Sequence, residues 1–397
     1  MKKFIAIVAS AVLAMSAFSL VACDTTPNDE DNVKLPSAPA GSYEEVDTSD
    51  PAKKEEFVEE VKQKFDITKI FGDMTSENWS FGLAADITAK AEASITGHNV
   101  QTGPDTTTDI TMSGNVALNS SSKIKISAAT DAEALLPFDI LASVDANVKG
   151  NVNLPDMIYQ SMGEQASTIK SLITDFDYTA KAYLDNEYLY ASIPTKIVSV
   201  IPEEAGIPAS GKIKVPLEMI SGGMGSDVPD ISFGETGIKL TDDAVEEVPG
   251  MDVSSYVSTI LAMLEQYNVS VSVSTDNGYT VKLNAGIESV YAIIADLVPM
   301  EDATAETIAA LVAEYGKVST CEIEAYISVD AEGMFSGLGI SLNVAATANV
   351  KAGELGEFSP AMSGSAKLKY GVSVSKYDGT VTLPSDLSSY VDVTAAE

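Results

Sequence analysis

Phe81-Gly82-Leu83-Ala84-Ala85-Asp86-Ile87-Thr88-Ala89-Lys90-Ala91-Glu92-Ala93-Ser94-Ile95 alternates apolar with mostly polar residues. Successive side chains of a β-strand point to opposite faces. One face of this segment therefore carries Phe81, Leu83, Ala85, Ile87, Ala89, Ala91, Ala93 and Ile95, and the other carries Asp86, Thr88, Lys90, Glu92 and Ser94. A strand with one apolar and one polar face belongs to an antiparallel sheet, because parallel sheets are covered on both sides. The pattern repeats at Ile110, Met112, Val116 and Leu118, and again at Ile140, Ala142, Val144, Ala146 and Val148. It returns late in the chain over Cys321–Val329, Leu338–Val350 and Ala366–Val374, with a last short strand ending at Thr382-Leu383-Pro384.

Helical spacing separates these runs. Asp50 suits an N-cap and Pro51 a first turn, and Phe57, Val58, Val61 and Phe65 form one stripe. Ile158, Met162, Ile169, Leu172, Ile173 and Phe176 make another over Pro155–Phe176. A third runs through Val253, Tyr256, Val257, Ile260, Leu261 and Leu264, and two more helices are expected at Ile287–Leu297 and Ala305–Tyr315. Tyr178 to Pro194 reads as a hairpin turning at Asp185-Asn186. Asn277-Gly278, flanked by Val269-x-Val271-x-Val273 and Tyr279-x-Val281-x-Leu283, is a strong short-range hairpin signal. The predicted fold is α+β: a large curved antiparallel sheet, half-barrel-like, with several helices packed on its apolar face. Residues 196–250, rich in Pro and Gly, are a candidate junction between two subdomains within a body spanning 51–397.

The chain of 397 residues carries 58 acidic residues against 24 basic ones, all lysine, for a net charge of −34. Nucleic-acid recognition relies on Lys/Arg patches with arginine as the bidentate reader, so nucleic acid is excluded as a partner. At the N-terminus, Lys2 and Lys3 precede an uncharged run from Phe4 to Ala22, the layout of an export signal. Leu20-Val21-Ala22-Cys23 resembles the lipobox of bacterial lipoproteins. That resemblance implies removal of residues 1–22 as a signal peptide and a diacylglycerol on the Cys23 thiol. It implies a lipid-anchored place on the extracytoplasmic side of the cell membrane, in a bacterial envelope. Two or more acyl chains hold a protein stably where one is marginal. Residues 23–50, acidic and almost without apolar side chains, are expected to be a disordered tether. With Cys23 lipidated, Cys321 is the only thiol, and the body must stand on its core.

With its lipobox, its long alternating strands, the Tyr183-Leu184-Asp185-Asn186-Glu187-Tyr188-Leu189-Tyr190 hairpin and the closing strand before Pro384, the body resembles the half-barrel lipoprotein carriers of the LolA/LppX type. The resemblance is one of pattern and implies a ligand-holding sheet. The small residues of the apolar face leave room that either close-packed helices or an apolar ligand can fill. Phe81, Leu83, Ala85, Ile87, Ala89, Ala91 and Ala93 are the candidate lining of such a cavity.

Catalytic patterns are sparse. His98, the sole histidine, follows Gly97 at a strand end and reads as an exposed turn residue; any Ser-His-Asp set would have to be built on it. Gly206-Ile207-Pro208-Ala209-Ser210-Gly211-Lys212-Ile213 nearly matches a phosphate-binding loop. It lacks the final Ser/Thr and runs into a strand rather than a helix. Cys321 shares a face with Ile323, Ala325, Ile327 and Val329, as a small hydrophobe would. No catalytic residue, metal site or cofactor is expected. The leading expectation is a non-catalytic, membrane-anchored lipoprotein that binds a hydrophobic small molecule or lipid between sheet and helices. The alternative is a cell-surface interaction or adhesion module acting through its outer polar face, with protein partners undefined.

Overall fold

A computed structural model describes residues 34–65, 67–70, 76, 78–103, 106–128, 138–202, 205–217, 219, 231–234, 237–240, 253–297, 304–352 and 360–393. Their dominant element is one open, mostly antiparallel sheet of thirteen strands. In chain order these strands are β1 (Glu44–Glu45), β2 (Ser80–Gly103), β3 (Thr106–Ala128), β4 (Phe138–Asn153), β5 (Phe176–Leu184), β6 (Tyr188–Ser192) and β7 (Lys212–Pro216). A separate pair, β8 (Ile231–Gly234) and β9 (Gly237–Leu240), forms its own small hairpin. The large sheet resumes with β10 (Ser270–Ser274), β11 (Tyr279–Ala285), β12 (Gly316–Val329), β13 (Phe335–Val350), β14 (Ala361–Lys376) and β15 (Val391–Asp392).

The spatial order is β1-β10-β11-β12-β13-β14-β2-β3-β4-β5-β6-β7-β15. Two meanders, β2 to β7 and β10 to β14, are thus joined side by side. Their seam is β14 against β2, paired antiparallel from Ala361↔His98 to Lys376↔Leu83. Strands before and after residues 196–250 belong to the same sheet, with β7 near one edge and β10 near the other. The only parallel pair among the described residues is β7 with β15.

The helices are α1 (Pro51–Lys64), α2 (Ile67–Ile70), α3 (Asp156–Ser161), α4 (Ala166–Ile173), α5 (Thr195–Val198), α6 (Val253–Gln266), α7 (Ile287–Leu297) and α8 (Ala305–Tyr315). Asp50 caps α1 by accepting from the Ala52 amide at 2.9 Å, with Pro51 in the first turn. Thr304 and Thr307 form a reciprocal capping box at α8, which satisfies amides that the first turn leaves unpaired.

Registry keeps one parity of every strand on one face. Across the middle of the sheet a single row reads Ile340 (β13), Val372 (β14), Ile87 (β2), Ser120 (β3), Ala146 (β4) and Ala180 (β5). The tight core lies towards the β10 side of this apolar face. There Phe57 and Val58 of α1 and Leu261 of α6 close on Val271, with Val46, Val61, Leu264, Val273, Val281 and Leu283 packed around them. Phe65 meets the buried Tyr279 edge-on at 5.8 Å. On the other flank α4 is held over the same face, because the Tyr178 hydroxyl donates to the Leu172 carbonyl at 2.8 Å.

The polar face is not left to water. Both ends of the described chain cross it. Residues 34–46 form a first strap. Pro36 lies over Gly371, where a Cβ would stand 2.5 Å from its ring. The Ala38 amide donates to Glu324 at 2.8 Å, and Lys282 sits over the Tyr43 ring. Glu44 and Glu45 then pair with Val273 and Ser272 as the edge strand β1. Within the segment expected to be a tether, Leu35 and Pro36 meet Gly371, Ala38 bonds to Glu324 and Glu44–Glu45 pair with β10; residues 23–33 lie outside the described residues. A few anchors (Leu35, Pro36 and Val46) suffice where average composition suggested coil.

Residues 377–393 form the second strap, so the strand expected to end at Pro384 is instead a crossing segment. The Tyr377 amide donates to the Gly82 carbonyl at 2.8 Å, Val381 and Tyr390 are buried, and Tyr390 meets Tyr190 edge-on at 5.5 Å. Its end pairs with β7 as β15. Each sheet edge is therefore a two-residue strand carrying a carboxylate. Such short charged edges block pairing with another chain.

Candidate functional site

The seven candidate lining residues of β2 all project from the apolar face. Ala89, the innermost, is buried between Leu118 of β3 and Tyr370 of β14; Phe81, Leu83, Ala85, Ile87, Ala91 and Ala93 are half-buried. Their cross-strand partners continue the apolar surface: Val372 and Val374 on β14, Val116 and Ile124 on β3. Towards the middle of the sheet this face opens to solvent. Ile340 on β13 is 42% exposed and Val144 on β4 is 37% exposed. Alanines along β2 keep the floor low between these larger side chains. Helices on the flanks also present apolar groups outward, among them Met157 of α3, Ile260 and Met263 of α6 and Ile293 of α7. Isolated apolar residues on a surface are ordinary, whereas a contiguous patch marks a binding region.

No family model matches this chain, and no curated protein is detectably similar to it. The site is therefore read from its own geometry.

The structure places room on the other face as well. A cavity of about 410 Å³ lies between the first strap and the sheet, bordered by Leu35, Pro36, Ser37, Glu322, Glu324 and Asn343. A smaller one of about 200 Å³ adjoins the second strap at Thr382, Lys123 and Asp145. Neither touches Phe81, Leu83, Ala85, Ile87, Ala89, Ala91 or Ala93. Those seven residues form the floor of an open apolar strip rather than the wall of either described cavity. The polar face on which the alternative expectation rested is crossed by both straps, which bury Val381 and Tyr390 there.

Cys23 and the segment read as a signal peptide lie outside the described residues. Among the described residues no helix is long and apolar enough to cross a membrane, and no group of three His, Cys, Asp or Glu stands ready to hold a metal ion. Cys321 is half-buried and pairs in register with Val344 on the apolar face. Burial and the neighbouring Glu322 push its thiol up, which lowers the thiolate fraction that any nucleophilic role requires. Lys212–Pro216 is strand β7, as the reading against a phosphate loop required, and Gly206 and Gly211 adopt left-handed φ values of 69° and 70° in the turns before it.

His98 differs from its reading as a turn residue. It lies inside β2, beside a register shift between Gly97 and Val100. Its Nδ1 is 3.1 Å from Asp109 Oδ2 and its Nε2 is 2.9 Å from Ser363 Oγ. The β2–β3 hairpin brings Asp109 to it, and only the β14–β2 seam brings Ser363. Local sequence carried the first of these relationships in its strand spacing but held no signal for the second.

Proposed function

We propose that this protein is an extracytoplasmic lipoprotein, anchored to the membrane through a diacylglycerol on Cys23, that binds a lipid or another hydrophobic molecule along its apolar strip without transforming it there. The observation that carries the reading is the continuity of one apolar face across the long strands, combined with its opening at Ile340 and Val144. Burying apolar surface yields about 25 cal/mol per Å², so an acyl chain laid along several strands gains several kcal/mol without a closed pocket. Flanking helices and the alanine floor suit an elongated ligand better than a compact one. The strip carries few polar groups; Ser122, one of them, spends its hydroxyl on the Ala85 carbonyl at 3.2 Å.

Native mass spectrometry of protein purified from its own membranes tests the binding, with titration of a fluorescent fatty acid as the second measurement. Co-purified lipid and saturable fatty-acid binding are expected. A protein that emerges empty and ignores the fatty acid overturns the reading. The anchor is tested separately: Cys23→Ser should abolish metabolic palmitate labelling and release the protein from the membrane fraction.

A further inference from the structure

The single histidine of the chain is held by partners on both ring nitrogens, at the first of two register shifts between β2 and β3. Asn99, next to it, adopts a left-handed φ of 53°, which costs a non-glycine residue energy and clusters at functional positions. Bulges re-aim side chains beside active sites. Here the bulge turns the Asn99 amide onto Asp109 Oδ1 at 2.9 Å, while Asp109 Oδ2 faces His98 Nδ1 at 3.1 Å. We propose that Asp109, His98 and Ser363 form an orienter–base–nucleophile set that makes Ser363 acylatable by neutral esters.

The hydrogen bonds are mutually consistent in one tautomer. A carboxylate at Nδ1 keeps the imidazole proton on that nitrogen. The Nε2 lone pair is then free to accept from the Ser363 hydroxyl at 2.9 Å. The Asn99 amide and His98 hold the Asp109 carboxyl below the usual carboxylate range, so it stays charged at neutral pH. A nucleophile within hydrogen-bond reach of a base, itself oriented by a third group, is the general signature of covalent catalysis, and such sets are recognised by geometry rather than chain order.

In the reaction, Ser363 Oγ bonds to the ester carbonyl carbon as its proton passes to His98 Nε2. The bond to the alkoxide breaks, and the alkoxide leaves with that proton. Water, giving a proton to Nε2, then attacks the acyl-serine; the acid departs and the serine hydroxyl re-forms. The side chains of His98 and Asp109 are 38% and 57% exposed, so the site is open and suits a substrate presented from solution. A net charge of −34 repels anionic substrates over long range, which favours neutral acyl groups. The set lies on the polar face of β2 and β14, opposite the lipid-binding strip, and does not depend on it.

The test is covalent labelling of the whole purified protein with a fluorophosphonate probe, followed by peptide mapping. Label on the peptide containing Ser363 is expected. His98→Gln should cut it at least tenfold without lowering Tm, and Asp109→Asn should cut it less. Absent label, label spread over other serines, or labelling unchanged in both variants overturns the proposal. If His98→Gln proves unstable, the exposed Asp109→Asn variant decides by the same criterion.

Discussion

The Ala38 amide donates a 2.8 Å hydrogen bond to Oε1 of Glu324, joining two residues 286 apart in the chain. This bond fixes the first strap midway between its seat on Gly371 and its end as β1. A hydrogen bond to a charged acceptor contributes about 1.5–3 kcal/mol. Glu324→Ala should therefore loosen residues 34–46 locally while the sheet persists. Hydrogen exchange should show protection falling in that segment alone, and limited proteolysis should cut it first.

Gly371 gives an independent probe of the same strap. A Cβ there would stand 2.5 Å from Cδ of Pro36 and 3.2 Å from Thr88 Oγ1. Gly371→Val should displace Pro36 and Leu35 at a cost of about 1–3 kcal/mol. Its Tm should fall, and truncating the strap at residue 40 should relieve most of that loss. An unchanged Tm would mean that the strap is not seated on β14.

The core near β10 should respond to Leu261. This side chain is 2% exposed and packs with Phe57, Val58 and Val271. Leu261→Ala should cost about 2–5 kcal/mol in chemical denaturation, through lost transfer energy and the cavity left behind. An exposed control on the same helix, Met263→Ala, should change stability by less than about 0.5 kcal/mol.

Exposure separates folding from binding on the apolar strip. Ile340→Lys with Val144→Lys places two charges where both native side chains are more than a third exposed. Stability should change little, whereas fatty-acid binding should drop at least tenfold, because a charge laid against an acyl chain is costly to desolvate. Equal binding by the double variant would place the ligand elsewhere.

Tyr190 should contribute to the alkaline loss of stability. Burial first, and the Asp185 charge second, push its phenol up to about 12. The unfolded phenol ionises near pH 10. Above that, the unfolded chain has given up a proton that the folded protein still holds, so stability must fall as pH rises from about 10 to 12. Its share of the loss should be about 1–3 kcal/mol, and Tyr190→Phe should reduce the slope in denaturation curves recorded across that window while the buried Tyr279, whose phenol burial also pushes up, keeps part of it.

What the sequence disclosed followed the reach of local patterns. Alternation identified the long strands because each needs only its own period of two. Asn277-Gly278 placed the β10–β11 turn, where Gly278 adopts a φ of 109°, and α7 and α8 fall where their spacing predicts. The straps were hidden because a crossing segment has no period; it docks through single anchors such as Pro36, Val381 and Tyr390. Val381-Thr382-Leu383 imitates a strand, yet it pairs with no strand of the sheet. Ser363 was paired with His98 by the β14–β2 seam, a relationship that no window along the chain contains.

That seam has a bearing on how the molecule is made. The central pair of the sheet unites β2 with β14, strands with every other long strand of the sheet between them in the chain, and the crossing segment after β14 comes later still. Contacts so distant in the chain form slowly. A nascent polypeptide of this design would stay unlocked until β14 had emerged to close its seam with β2.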